Sequence, residues 1–131
     1  MQIDHTAVTI EKLAAFSDER GMVFNPIEIS EFRDQNNLHV VTSAPQAIRG
    51  NHYHPKGTEI ITVMGPAVMR IREKDNLRDI DIPDRAIYRL TIPPGVPHAI
   101  KHTGSAIGVF LSFNTIAYDP ENPDVVRDVL I

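Results

Sequence analysis

Cysteine is absent from the 131 residues of this sequence, so disulfide bonds and thiol chemistry are excluded. No apolar run approaches the ~20 residues of a membrane-spanning helix, and the first residues lack the apolar core of a signal peptide. Lysine and arginine are scattered singly in a chain of net charge −4, which argues against a nucleic-acid surface but not against a local basic pocket. We therefore expect a cytoplasmic protein that binds neither nucleic acid nor membrane.

The length and the 42% hydrophobic content suit one compact domain, and we expect residues 1–131 to form it. Short β-rich runs alternate with breaks that carry proline or glycine, a pattern typical of an all-β sandwich or barrel. The segments Ile10–Phe16 and Val125–Leu130 have spacings that fit either a short helix or irregular structure. The predicted strands are Val23–Ile29, Leu38–Thr42, Glu59–Met64, Ala67–Arg72, Ile87–Ile92 and Ile107–Phe113.

Three histidines and a glutamate have the order and spacing of ligands to one metal ion. His52 and His54 are two residues apart, so in an extended strand both side chains point to the same face. The proline and glycine within 55–58 predict a tight turn, after which a strand starting at Glu59 would fold back beside the histidines. A second proline- and glycine-rich turn then precedes His98. These four residues are our predicted metal site.

The alternative is that these histidines are structural, and the HxH pair alone is a weak motif. The glutamate beyond a turn and the later histidine make the combination far more specific. His5 lies in a polar segment, His39 in an apolar run and His102 at an expected solvated strand end, so we predict none of them as ligands. Three imidazoles and a carboxylate suit Zn(II), Fe(II), Mn(II) or Ni(II), with zinc as our first expectation.

The two histidine segments resemble the two motifs of the RmlC-like cupin superfamily, although His102 stands where the second motif has asparagine. The sequences RGNHYH (49–54), IPPG (92–95) and YDPENPD (118–124) resemble the carboxy-terminal cupin domain of CapF-type capsular polysaccharide enzymes. RGxHY and FSDERG (16–21) also resemble the dTDP-4-dehydrorhamnose 3,5-epimerases. The resemblance implies a double-stranded β-helix, the cupin jelly roll, with space inside for one small ligand.

The resemblance also implies a function, which is epimerisation at C3 beside the 4-keto group of a UDP- or dTDP-linked sugar. The GxGxxG turn of dinucleotide-binding domains is missing, so a following reduction would need another protein. In the rhamnose-pathway enzymes the residue matching His52 is the base that removes the proton, and no metal is bound. If His52 binds a metal here, another residue must act as the base. Tyr88 is our first choice, because residues 88, 90 and 92 share a face, but a packed core tyrosine is an equal alternative. The other candidates are Tyr53, Lys101 and His102.

Cations should bind the diphosphate of such a substrate. Arg49 matches the arginine of RGxHY, and Arg20 matches that of FSDERG, although either could be a solvated charge. Tyr53, within the same RGxHY core, is our third predicted substrate-binding residue. The resembling families also imply a homodimer.

Two other functional classes stay open. The same ligand set serves cupin dioxygenases and isomerases of small molecules, and a non-catalytic cupin could bind a sugar or an ion, because one fold hosts many chemistries.

Overall fold

The computed structural model describes residues 7–131, which form two antiparallel five-stranded sheets and a small hairpin. The first sheet has the strand order β1-β9-β6-β11-β4, and the second has the order β12-β5-β10-β7-β8. The hairpin consists of β2 and β3. The elements are β1 (Thr9–Lys12), β2 (Phe16–Asp18), β3 (Gly21–Val23), α1 (Ile29–Phe32), β4 (Asn37–Ser43), β5 (Ile48–Tyr53), β6 (Glu59–Met64), β7 (Ala67–Glu73), β8 (Asn76–Ile82), β9 (Ile87–Ile92), β10 (His98–His102), β11 (Gly108–Asn114) and β12 (Val126–Arg127).

The core lies between the two sheets. In β7, Ala67, Met69 and Ile71 are buried and alternate with more exposed residues, because successive side chains point to opposite faces of a strand. Leu90 and Phe110 of the first sheet belong to the same cluster. The two sheets therefore bury their facing apolar surfaces against each other, which confirms the predicted all-β sandwich.

The outer face of the first sheet is covered by the segment that precedes β4. Thr62 donates a hydrogen bond to the backbone oxygen of Pro26 over 2.6 Å. The buried guanidinium of Arg89 pairs with Glu11 at 2.9 Å and with Glu28 at 3.4 Å. Both faces of the central strand β6 are consequently enclosed, which explains why its residues show no polar alternation.

The predictions for Glu59–Met64 and Ile87–Ile92 match β6 and β9 residue for residue, and those for β4, β7 and β11 are confirmed within one or two residues. The prediction of a strand over Val23–Ile29 is wrong, since β3 ends at Val23 and a short helix starts at Ile29. The helical alternative is wrong for both segments offered, because Ile10–Phe16 overlaps β1 and reaches the start of β2, and Val125–Leu130 contains the two-residue strand β12. His5 lies outside the described residues.

The predicted hairpin between the histidine strand and the glutamate strand is also wrong. β5 belongs to the second sheet and β6 to the first, so residues 55–58 carry the chain from one sheet to the other. Glu59 therefore reaches the histidines across the sandwich. Within residues 7–131, no helix has the length and apolar character needed to cross a bilayer.

Candidate metal centre and ligand cavity

The four predicted ligands come together at one end of the sandwich. His52 lies on β5 directly opposite His98 on β10, and His54 follows the end of β5. Beside them the pairing of β5 with β10 is irregular, with Gly50 at φ +85°. A side chain on Gly50 would approach the His98 backbone oxygen to 2.9 Å, so glycine allows the two strands to lie close together.

The geometry of the cluster is compact enough for one ion. The ring centroid of His52 lies 4.9 Å from the ring centroids of both His54 and His98, and the centroids of His54 and His98 lie 5.7 Å apart. One ligand atom from each of the four residues falls within 4.8 Å of all the others. Glu59 Oε1 lies 2.7 Å from His98 Nε2 and 3.4 Å from His54 Nε2.

Backbone carbonyls fix which nitrogen of two histidines carries the proton. His98 Nδ1 lies 2.9 Å from the Val96 oxygen, and His54 Nδ1 lies 2.7 Å from the Asp124 oxygen. A carbonyl only accepts, so each Nδ1 is the donor, and each Nε2 of a neutral ring turns a lone pair toward the cluster. These two Nε2 atoms and Glu59 Oε1 are buried without a well-aligned hydrogen bond, despite the short Glu59–His98 distance.

The pKa shifts of these residues also favour a cation-binding site. Burial, reinforced by nearby His98, lowers the pKa of His52 to about 4, so this ring stays neutral near pH 7. Burial alone would raise the pKa of Glu59, but the adjacent imidazoles of His54 and His98 outweigh it and hold that pKa well below its usual range. Burial opposes protonation of His54 too, yet Glu59 and Asp124 raise the pKa of this ring. The cluster thus combines a buried anion with neutral or titratable donors.

The donor set fits a divalent transition metal. Glu59 Oε2 accepts a 2.5 Å hydrogen bond from the Ser112 hydroxyl, which leaves Oε1 facing the imidazoles. A buried carboxylate beside imidazole lone pairs is unfavourable unless a cation or a proton lies between them. Imidazole nitrogens held by carbonyls on their far side, with an oriented carboxylate, are the arrangement that zinc and its neighbours in the first transition row take in proteins.

A cavity of about 370 Å³ opens beside this cluster. It is in the size range of small-molecule sites. Both sheets contribute to its walls, and residues 116–118 and 123–125 line another part of it. The apolar part of the lining includes Val41, Ile61, Ile100 and Phe110.

The predicted substrate-binding residues are divided between the cavity and other places. Arg49 lines the cavity and also donates a 2.9 Å hydrogen bond to the Thr42 backbone oxygen. Tyr53 does not line it and lies opposite Val126 in the strand pairing. Arg20 is exposed at the β2–β3 turn, where it pairs with Asp18 at 2.6 Å.

The three predicted catalytic residues do not line the cavity. Tyr88 packs against the apolar core, which is the alternative to a catalytic role given for it in the sequence analysis. Lys101 is in β10 opposite Ile48. His102 is buried farther along β10, where its Nε2 lies 2.6 Å from the Ala106 oxygen.

Sequence reasoning missed several polar residues that do line the cavity. Asn37 and His39 of β4 are two residues apart and face it, as do Ser112 and Asn114 of β11. Their period of two was a usable signal, but the exposed Leu38 and Val40 between them made the segment look like an ordinary apolar strand.

Residues 16–126 match the family described as the polysaccharide biosynthesis C-terminal domain. The chain belongs to this family. Its structure is similar to that of the capsular polysaccharide assembling protein CapF from Staphylococcus aureus, with 25% identity and a TM-score of 0.67. The match covers 90% of this chain but only 33% of CapF, so the chain spans about a third of that protein's length. No curated protein matches the sequence.

Two further structures share the fold. The sugar 3,4-ketoisomerase QdtA from Thermoanaerobacterium thermosaccharolyticum, solved with TDP, has 24% identity and a TM-score of 0.71, covering 92% of this chain and 88% of QdtA. The Mycobacterium tuberculosis RmlC epimerase has 16% identity and a TM-score of 0.68, covering 92% of this chain and 69% of that one. The polysaccharide biosynthesis C-terminal domain of this chain therefore has the RmlC-like cupin fold, and these structural neighbours are sugar isomerases and epimerases.

Proposed function

We propose that the protein is a metal-dependent isomerase of nucleotide-linked keto sugars, and specifically an epimerase at the carbon beside a 4-keto group. The observation that carries this proposal is the cluster of half-buried His52 and His54 with buried Glu59 and His98, in the wall of a cavity large enough for a sugar. Membership of the polysaccharide biosynthesis family and the sugar-modifying structural neighbours support it. When bound, the ion would supply a Lewis acid that polarises the ketone oxygen and acidifies the adjacent carbon.

We assign the proton transfer to His39. It lines the cavity from β4, two strands away from Glu59 on β6 and offset by two residues along the strands, so at normal strand geometry their backbones are about 12 Å apart. A sugar ring can lie between them. An imidazole accepts and releases protons near neutral pH, and in residues 7–131 His39 is the cavity-lining histidine outside the metal cluster. His39 would remove the proton at C3, and solvent in the open cavity would return one to the opposite face.

The remaining contacts follow from the chemistry of the cavity. Arg49 lines it, and a guanidinium binds a diphosphate through two parallel hydrogen bonds. The apolar side chains Val41, Ile61 and Phe110 suit the methyl group of a 6-deoxy sugar better than a hydroxymethyl group. QdtA has been solved with TDP-4-keto-6-deoxyglucose, which makes this the first substrate class to test.

The likeness to QdtA across most of both chains supports a second candidate, a 3,4-ketoisomerase. Both reactions begin with loss of the C3 proton. An epimerase returns a proton to the opposite face of C3 and keeps the ketone at C4. A ketoisomerase instead delivers a proton to C4 while the C3 hydroxyl loses its proton and the C4 oxygen gains one, which leaves the ketone at C3.

Incubation of zinc-loaded protein with dTDP- or UDP-linked 4-keto-6-deoxy sugars in heavy water tests the proposal. Deuterium at C3 with the ketone still at C4 is the result expected of the epimerase, and deuterium at C4 identifies the ketoisomerase. His39→Gln should abolish incorporation without loss of bound metal, while Lys101→Gln, outside the cavity, serves as the matched control. No incorporation at either carbon would refute the isomerase proposal, and oxygen uptake would favour a dioxygenase.

A further inference from the structure

Asp124 is distant in sequence from the candidate ligands, but it contacts both His54 and the segment that leads to Glu59. Its backbone oxygen accepts the hydrogen bond from His54 Nδ1 at 2.7 Å. Its carboxylate accepts from the backbone N–H of Gly57 at 2.8 Å and from that of Lys56 at 3.1 Å. One residue thus holds a candidate ligand and the crossover segment that leads to the next ligand, Glu59.

The crossover segment depends on such outside support. Residues 55–58 run between the sheets and are not part of either, so strand pairing does not fix them. Gly57 is buried, and a side chain there would overlap Asn114 and lie 3.1 Å from the Asp124 carboxylate. The segment is therefore packed between Asn114 and Asp124, and the carboxylate satisfies backbone amides that would otherwise lack partners.

Asp124 is itself anchored on the histidine strand. The residues that follow it form β12, in which Val126 pairs with Tyr53 and Arg127 pairs with His52. The Asp128 backbone N–H donates to the Asn51 oxygen over 2.8 Å. Asp124 is thus part of a segment bound along the same strand that presents the histidines.

We propose that Asp124 is a positioning residue for the metal centre, which fixes the orientation of His54 and the path of the chain to Glu59. This inference rests on the metal binding in the proposed function. Mutation of a residue that hydrogen-bonds to a metal ligand on the side away from the metal typically changes metal affinity about 10- to 100-fold. Because coupling is reciprocal, an ion bound at His54 should in turn hold the segment around Asp124 more tightly.

Zinc affinity, measured by competition with a chromophoric chelator, tests the proposal. Asp124→Ala keeps the backbone oxygen that accepts from His54 but removes the carboxylate that holds the crossover segment and the carbonyl in place, so it should weaken Zn²⁺ binding about tenfold, the lower end of this range. Asp124→Asn should weaken it less because its amide oxygen still accepts one N–H. Asp119→Ala is the matched control, since Asp119 accepts a backbone hydrogen bond from Glu121 in the same segment without touching the cluster. Asp119→Ala should bind Zn²⁺ like the wild type. If Asp124→Ala does so too, the inference is wrong.

Amide hydrogen exchange gives a readout that needs no turnover, and its first comparison needs no metal. In metal-free protein, the amides of Lys56 and Gly57 should exchange faster in Asp124→Ala and Asp124→Asn than in the wild type or in Asp119→Ala. In the wild type, Zn²⁺ should slow exchange around Asp124. Wild-type protein that binds no Zn²⁺ would overturn the metal site itself and with it the role of Asp124. Wild-type binding with unchanged affinity in both Asp124 variants would overturn the role of Asp124 alone.

Discussion

Replacing Glu59 by glutamine separates a metal centre from a structural ion pair. If Glu59 is balanced by protonated His54 and His98, the neutral variant leaves buried positive charge unpaired, which typically costs about 3–5 kcal/mol of unfolding free energy. If the Nε2 atoms carry lone pairs for an ion, glutamine of similar volume can donate its amide protons to them. The metal-free variant should then lose about 1 kcal/mol or less.

With Zn²⁺ present, the wild type should be stabilised more than the Glu59→Gln variant. Free Zn²⁺ at 100 times its dissociation constant stabilises a protein by about 2.7 kcal/mol. For a chain of this length each kcal/mol moves Tm by about 4 °C, so the wild type should gain about 10 °C. Glu59 is the anionic candidate ligand of the cluster, and Glu59→Gln should lose most of this gain at the same Zn²⁺ concentration.

Thermal unfolding followed by circular dichroism, once with a chelator and once with Zn²⁺, provides both numbers. Glu121→Gln is the control, because Glu121 is an exposed carboxylate outside the cavity. A loss of several kcal/mol in the chelator-treated Glu59→Gln protein would support the ion pair. An unchanged Zn²⁺ shift in that variant would refute Glu59 as a ligand.

Three other predictions concern affinity, core stability and assembly. The raised pKa of His54 means that a proton competes with the ion at higher pH than it would for an ordinary histidine, so calorimetry should show Zn²⁺ affinity falling about tenfold per pH unit below that pKa. Binding that is independent of pH would exclude His54 as a ligand. Met69→Ala should lower the urea-derived unfolding free energy by about 2–5 kcal/mol because Met69 is fully buried, while the exposed Leu77→Ala should change it by about 0.5 kcal/mol or less. We propose a homodimer that covers Leu38 and Val40, which are 52% and 66% exposed on the edge strand β4. Light scattering should give twice the chain mass for the wild type and the single chain mass for Val40→Lys. A wild-type monomer would contradict the proposal.

The pairing of His52 and His54 could be predicted from a local rule, and the spacing of the two motifs added Glu59 and His98 to it. The alternation of side chains placed His52 and His54 on one face, and the proline and glycine of 55–58 marked a turn. The partner of each strand could not be predicted. β6 is buried on both faces, and such an apolar run does not reveal which strands will flank it. The sequence therefore indicated which residues meet, but not that Glu59 arrives from the opposite sheet.

His39 was missed because polar residues of β4 face the cavity while its outer face is apolar. Asn37 and His39 line the cavity together with the apolar Val41, whereas the outward positions Leu38 and Val40 are apolar and exposed. The interior at this end is a cavity rather than a packed core, so the hydrophobic pattern predicts the wrong face. The role of Asp124 has no local signal at all, because its partners His54 and Gly57 are about 70 residues away in sequence.

The division of the candidate ligands between the two sheets has a kinetic consequence. His52, His54 and His98 belong to the second sheet or its end, and Glu59 belongs to the first, so the full set is assembled only after the sheets have packed. Interactions that are absent from the folding transition state act on the unfolding rate alone. A bound ion should therefore leave the refolding rate unchanged and slow unfolding, so that the metal would determine how long the protein stays folded rather than how quickly it folds.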